Sequence, residues 1–165
     1  MTTDLASARS LGGALAAFHR YAERLLASIP QSLPLFALRL GLAVPFFKSG
    51  LTKWDGFLTL STGARYLFEQ EFRLHIFGNL IPYPMPLVMA AASGIAELVL
   101  PVLLVLGLFT RYAALGLLVM TAVIQLTVPD GWANFHLPWA AMALTLVVYG
   151  GGRIALGALI NLRRN

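Results

Sequence analysis

An ionisable side chain inside a lipid-crossing helix must find a polar partner or a water-filled cavity. This chain places such residues in stretches otherwise apolar enough to cross a bilayer. Four stretches stand out: 33–51, interrupted by Arg39 and Lys48; 86–109, holding one charge, Glu97; and 112–128 and 137–151, holding none. A hydrocarbon core of ~30 Å takes ~20 helical residues to cross, so the fourth stretch is rather short. Composition agrees: 58% of residues are hydrophobic and 12% charged, whereas a soluble domain runs near ~25% charged. At 165 residues the chain makes one domain, whose apolar excess must face lipid. The expected fold is all-α: an integral membrane four-helix bundle over 31–152, led by an amphipathic helix.

That leading segment, 1–30, places Leu11, Leu15, Phe18, Ala22, Leu25 and Ile29 on one stripe at helical spacing. Arg9, Arg20, Glu23 and Arg24 lie off it, the pattern of a helix in the membrane interface. A cytosolic helix packed on a partner protein would show the same pattern. The apolar run Leu11–Phe18 is short for a signal peptide, and His19–Arg20 follow it where a cleavage site would stand. Pro30 and Pro34 break the chain before the first crossing. In the longest connection, 52–84, a helix is expected within 57–74, and Pro82, Pro84 and Pro86 give an extended lead into the second crossing. The turn 108–111 is short enough to force its two helices to be antiparallel neighbours.

Orientation follows from where Lys and Arg fall. With both ends inside, Arg9, Arg20, Arg24, Arg111, Arg153, Arg163 and Arg164 are cytoplasmic, the last three in a basic tail, 153–165. The outside then holds Lys53, Arg65 and Arg73, beside Asp55, Glu69, Glu71 and Asp130. A bacterial-type inner membrane with N-in/C-in topology is the expected location. The net charge of +5 thus speaks for orientation and anionic headgroups rather than nucleic acid, since no basic run is interleaved with aromatics.

Arg39 and Glu97 are the charges that cannot easily escape the membrane. At ~1.5 Å rise per residue, Arg39 lies ~9 Å and Glu97 ~17 Å from the inner edge, close enough for a pair if the helices are adjacent. Lys48 lies on the opposite side of its helix and can snorkel outward. Lys53 returns to the Arg39 face, so Arg39, Gly50 and Lys53 are expected to line one groove with Lys53 at its outer mouth. On the second crossing, Ser93, Glu97 and Pro101 form an i, i+4 row, and Pro101 frees the Glu97 carbonyl from its helix bond. Thr121 and Gln125 share a face as interhelical hydrogen-bonding groups. Trp132, Asn134, His136 and Trp139 cluster near the outer end of the fourth crossing, with His136 read as an interfacial histidine. Arg39, Lys53, Glu97, Ser93 and Gln125 are therefore the candidate intramembrane polar site. Whether an Arg39–Glu97 pair serves a ligand or only locks two helices stays open.

The absence of cysteine excludes disulfides, thiolate catalysis and Cys-ligated metals. The histidines, His19, His75 and His136, fall neither at metal-ligand spacing nor mid-crossing as haem would need. No phosphate loop, catalytic triad or GxGxxG turn occurs.

The Arg39–Leu40–Gly41 start, the Gly50-x-x-Lys53 end of the first crossing, Glu97, and the Gly107–Leu108–Phe109–Thr110–Arg111 turn together resemble the DoxX family of small four-span membrane proteins. The resemblance runs from Arg39 to about Gly152 and leaves the first thirty residues outside. It carries over only Arg39, Lys53 and Glu97. Some members resemble the small subunit of an archaeal thiosulfate:quinone oxidoreductase, and others accompany copper-peptide or redox-stress enzymes. The outline is also similar to that of four-helix quinone-linked thiol oxidases, whose cysteines this chain lacks. The resemblance implies a membrane subunit or anchor near quinone or redox metabolism, without independent turnover. A quinone is the cofactor it suggests, and the bilayer, a partner subunit or a second copy are the partners. A ligand-free assembly protein and a small oligomeric transporter are the competing readings.

Overall fold

The computed structural model describes residues 2–162, with side chains over 15–160. Arg163 and Arg164, counted above as cytoplasmic, lie outside the described residues, as do the side chains of Arg9 and Leu11. The order is α1 (Thr2–Ala27), α2 (Ser32–Leu51), the hairpin β1 (Trp54–Gly56) and β2 (Thr59–Leu60), and α3 (Thr62–Tyr66). A π-helical turn (Leu67–Glu71) then leads to the hairpin β3 (Arg73–Ile76) and β4 (Asn79–Pro82). Next come α4 (Pro86–Leu106), α5 (Thr110–Thr127), α6 (Leu137–Tyr149) and α7 (Leu156–Leu162).

Helices α2, α4 and α5 are long and apolar enough to cross a membrane. Helix α6 has 13 residues and is preceded by a π-helical turn, Trp132–His136. These four helices make one bundle, in which α2 packs on α4 and α6, and α5 packs on α4 and α6. The seam is filled by Leu42, Phe46, Leu104, Leu117 and Leu146, with Ala113, Ala114 and Ala143 letting the helices approach. Outward-facing Val44, Val99, Val102, Val119 and Leu144 are exposed, as helices solvated by lipid require. Lys48 is likewise exposed near the outer end of α2.

The connection 52–84 departs from the helix expected within 57–74. Helical structure covers only 62–71, flanked by the two hairpins. The β3–β4 turn is Phe77–Gly78, both at positive φ (+48° and +80°), the primed geometry that suits a two-residue hairpin. Phenylalanine in place of the usual asparagine hides that signal in the sequence. Phe68, Tyr83 and Ala90 form a second small core with Leu60, Phe72, Leu74 and Met89, seating this segment as a cap on the start of α4.

The expected Arg39–Glu97 pair is not formed. Arg39 is almost fully buried and instead donates to three carbonyls: Nε to Leu104 O at 2.7 Å, Nη2 to Val105 O, and Nη1 to Gly151 O at 3.2 Å. Its guanidinium also lies 5.3 Å from the Phe36 ring centre. The last carbonyls of a helix lack internal partners and carry the negative end of its dipole, so a cation there is doubly satisfied. Gly107 (φ +74°) ends α4, and a Cβ there would fall 2.8 Å from Arg39 Nη2. The inner ends of α2 and α4 are not level, as the depth argument assumed. Their stagger sets Arg39 beside the last turn of α4 and leaves Glu97 to another cation.

Removing the guanidinium strands carbonyls in a lipid-solvated core, so Arg39→Gln should destabilise the protein by ~2–4 kcal/mol. Thermal unfolding in detergent micelles checks this. Adding Glu97→Gln should not restore stability; recovery in the double variant would mean that Arg39 and Glu97 do pair.

Candidate functional site

Glu97 faces α2 where Gly50 brings the two backbones together. A methyl on Gly50 would stand 3.0 Å from the Glu97 carbonyl carbon and Cβ. Three residues on, just past the end of α2, Lys53 donates to Glu97 Oε2 at 2.5 Å and to Ser49 Oγ at 3.1 Å. The chain holds Lys53 there through Ser61, whose N–H donates to Lys53 O at 2.8 Å and whose hydroxyl donates to Thr52 O at 2.9 Å. The same hydroxyl accepts from Ala64 N–H at 3.1 Å, capping α3. A buried serine eight residues on therefore fixes the lysine.

The Lys53 and Glu97 side chains retain only 13% and 5% of their surface. That matters because a pair this buried is not screened away as surface pairs are. An ammonium has three donors. Two are used among the described residues, leaving one for a ligand.

The pair opens on a cavity of about 400 Å³ in the half of the bundle that holds the end of α2 and the start of α4. This lies within the ordinary size range of small-molecule sites. Phe46, Phe68, Phe72, Tyr83 and Trp139 supply aromatic walls, with Met89 and Met120 between them. Trp139 packs on Phe46 with ring centres 5.1 Å apart. The polar lining is confined to Ser49, Lys53, Ser93, Glu97, Tyr83 and Thr127. The arrangement is an apolar, aromatic slot with one charged, hydrogen-bonding end, suited to a flat ring carrying a polar oxygen.

Of the five sequence candidates, the structure brings Lys53, Glu97 and Ser93 together at this cavity. The Ser93 hydroxyl donates to Ala90 O at 2.9 Å, and its oxygen remains able to accept. Arg39 lies fourteen residues before Lys53, ~21 Å along α2, at the opposite end of the bundle. The expected single groove of Arg39, Gly50 and Lys53 is thus two separate places. Gln125 lies outside the cavity lining. It donates to Pro129 O at 3.1 Å and meets His136 Nδ1 at 2.6 Å through its carbonyl oxygen. With that oxygen facing the ring, His136 donates from Nδ1, and its side chain is buried. Thr121 donates to Leu117 O within its own helix, not across helices. Among the described residues no group of three His, Asp or Glu could hold a metal.

Sequence reasoning missed the cap. Tyr83 is within 2.6 Å of the Thr127 hydroxyl, and His75 Nδ1 within 3.1 Å of Leu126 O, fastening the 61–84 segment to the outer end of α5. The alternation Arg73–Leu74–His75–Ile76 was the available sign of a strand there.

A family model described as DoxX matches residues 34–130, more than half of the chain. The chain belongs to the DoxX family. An uncharacterised protein of Haemophilus influenzae (strain ATCC 51907 / DSM 11121 / KW20 / Rd) is 31% identical over 140 residues, covering 80% of this chain and 86% of that one. No solved structure matches. The matched DoxX region holds Arg39, Lys53 and Glu97 and both ends of the cap, and stops before α6.

If the pair is closed as described, either charge alone is costly. Lys53→Met and Glu97→Gln should each lower stability, the former by about 3 kcal/mol because it strands a buried carboxylate. Glu97→Gln should cost less, since Lys53, just past the end of α2, is the less buried of the two and can turn away from the bundle. Unfolding of the double variant K53M/E97Q should recover most of the loss. Additive losses would show that the pair is not coupled.

Proposed function

We propose that this DoxX-family membrane protein is a non-catalytic subunit or anchor that holds a quinone-type ring beside the Lys53–Glu97 pair, for a redox enzyme that docks on it. The supporting observation is the aromatic cavity ended by one buried ion pair with an unused ammonium donor. Lys53 would donate to a ring oxygen, Glu97 would hold Lys53 charged and in place, and Phe46, Phe72 and Trp139 would flank the ring. A bound quinone supplies two-electron, two-proton carriage. The chain has no cysteine with which to pass electrons by thiol chemistry, so electrons would come from a partner subunit. Helix α1 offers a place for that partner: between Leu15 and Ile29 all but Ala22 are exposed, so among the described residues that part of its stripe is unoccupied. The same stripe would equally lie in the inner-leaflet interface.

In this reading four helices cross a bacterial inner membrane with both ends inside, α6 and its π-helical turn forming the fourth crossing. Arg111 and Arg153 are then cytoplasmic, and the Lys53–Glu97 cavity and its cap lie toward the outer face. The second reading is a ligand-free assembly protein. It is favoured by Arg39, whose three carbonyl bonds serve packing alone.

Ubiquinone-1 added to proteoliposomes tests the reading through quenching of tryptophan fluorescence. Saturable quenching is expected, with Kd raised ~10-fold or more in Lys53→Met, the loss of one charge-assisted hydrogen bond. Arg39→Gln, at the far end, should leave Kd within about twofold where it folds. Quenching no greater than simple partition into lipid, or an unchanged Kd in Lys53→Met, would overturn the quinone site and leave the assembly reading.

A further inference from the structure

We infer that the cavity takes its ligand sideways from the bilayer, through a gap between α4 and α5, and so serves a lipid-dissolved molecule rather than a water-borne one. This rests on the ligand reading above and adds to it the route and the class of substrate.

The gap is defined by residues that both line the cavity and are exposed: Ala92 on α4, and Val119 and Val123 on α5. Small Ala96, one turn from Ala92 and half-buried, continues the opening inward. Counted from the inner ends of their helices, these four residues lie ~13–21 Å along segments that cross a ~30 Å core. Their exposed surface at that depth meets acyl chains, not water.

The α2–α4 seam and the face under the cap are covered. Between α2 and α4, Gly50 sits against the Glu97 backbone and Lys53 against its carboxylate, so a ligand cannot slide between the first two crossings. Toward the outer water, Phe68, Phe72 and Tyr83 of the cap cover the cavity. The cap is fastened to α5 by the Tyr83–Thr127 and His75–Leu126 contacts. Two further lining residues are exposed: Ser49, beside Gly50 at the level of Glu97, whose hydroxyl accepts from Lys53, and Val128, just past the end of α5. The opening at mid-depth is walled by alanine and valine alone, which gives a polar solute nothing to replace its water.

Two measurements decide this. Because the chain has no cysteine, a nitroxide on Met120→Cys reports from the cavity alone. In nanodiscs of phosphatidylcholine, its relaxation should respond to oxygen dissolved in the bilayer and little to a water-soluble nickel chelate. A dominant nickel response would overturn the lateral route, whether or not a quinone binds. In proteoliposomes, Ala92→Phe and Val119→Phe, which narrow the gap from lipid-exposed positions, should slow ubiquinone-1 association ~10-fold while changing Kd less. His75→Ala, which loosens the cap away from the cavity, should leave the association rate unchanged. Unaltered association in both gap variants, or faster association in His75→Ala, would place the route under the cap and overturn the proposal. If the wild-type protein fails to bind ubiquinone-1 while the nitroxide sees oxygen alone, the quinone reading falls and the lipid-facing opening stands.

Discussion

A carboxylate in hydrocarbon has no water to satisfy it, and Glu97 is the point around which the capped half of this molecule is arranged. Lys53 answers it at 2.5 Å. That contact needs Gly50, so that α2 can lie on α4, and Ser61, so that the turn after α2 holds its course. The pair in turn ends a cavity whose remaining lining is mainly apolar. Burial keeps both charges from solvent screening, and closeness gives each a partner that lipid cannot supply.

The opposite half solves the same problem without a counter-charge. Arg39 is held by the carbonyls of Leu104, Val105 and Gly151, at a helix end and a glycine turn; the Leu104 carbonyl also accepts from Gly107 N–H at 3.1 Å. The cation draws α2, the end of α4 and the 150–152 segment to one place. Two charges that a depth calculation pairs with each other are therefore separate devices, one for packing and one beside a cavity.

The long apolar stretches made the membrane class legible, because their length and lack of charge leave few alternatives. Arg39, Lys53 and Glu97 were legible as the residues needing explanation, because charge at that depth is costly. Their pairing was not legible. Depth counted along ideal helices treats the inner ends as level, and the stagger of α2 against α4 comes from packing at Gly50, which no count reveals. Gln125 illustrates the same limit: its face was readable, but its partner His136 comes from a π-helical turn that periodicity does not announce. The cap was missed because the Phe77–Gly78 turn uses a residue rarely found at positive φ.

These features bear on function together. A DoxX-family chain without cysteines has an ion pair at the end of an aromatic cavity and an amphipathic helix whose described side chains are almost all exposed. The central claim is that Glu97 belongs to Lys53. Solid-state NMR on the protein in lipid bilayers, measuring dipolar coupling from the Glu97 carboxylate carbon to side-chain nitrogens, tests it directly. The account requires strong coupling to the Lys53 ammonium and none to the Arg39 guanidinium. Coupling to Arg39, or to no nitrogen at all, would contradict it.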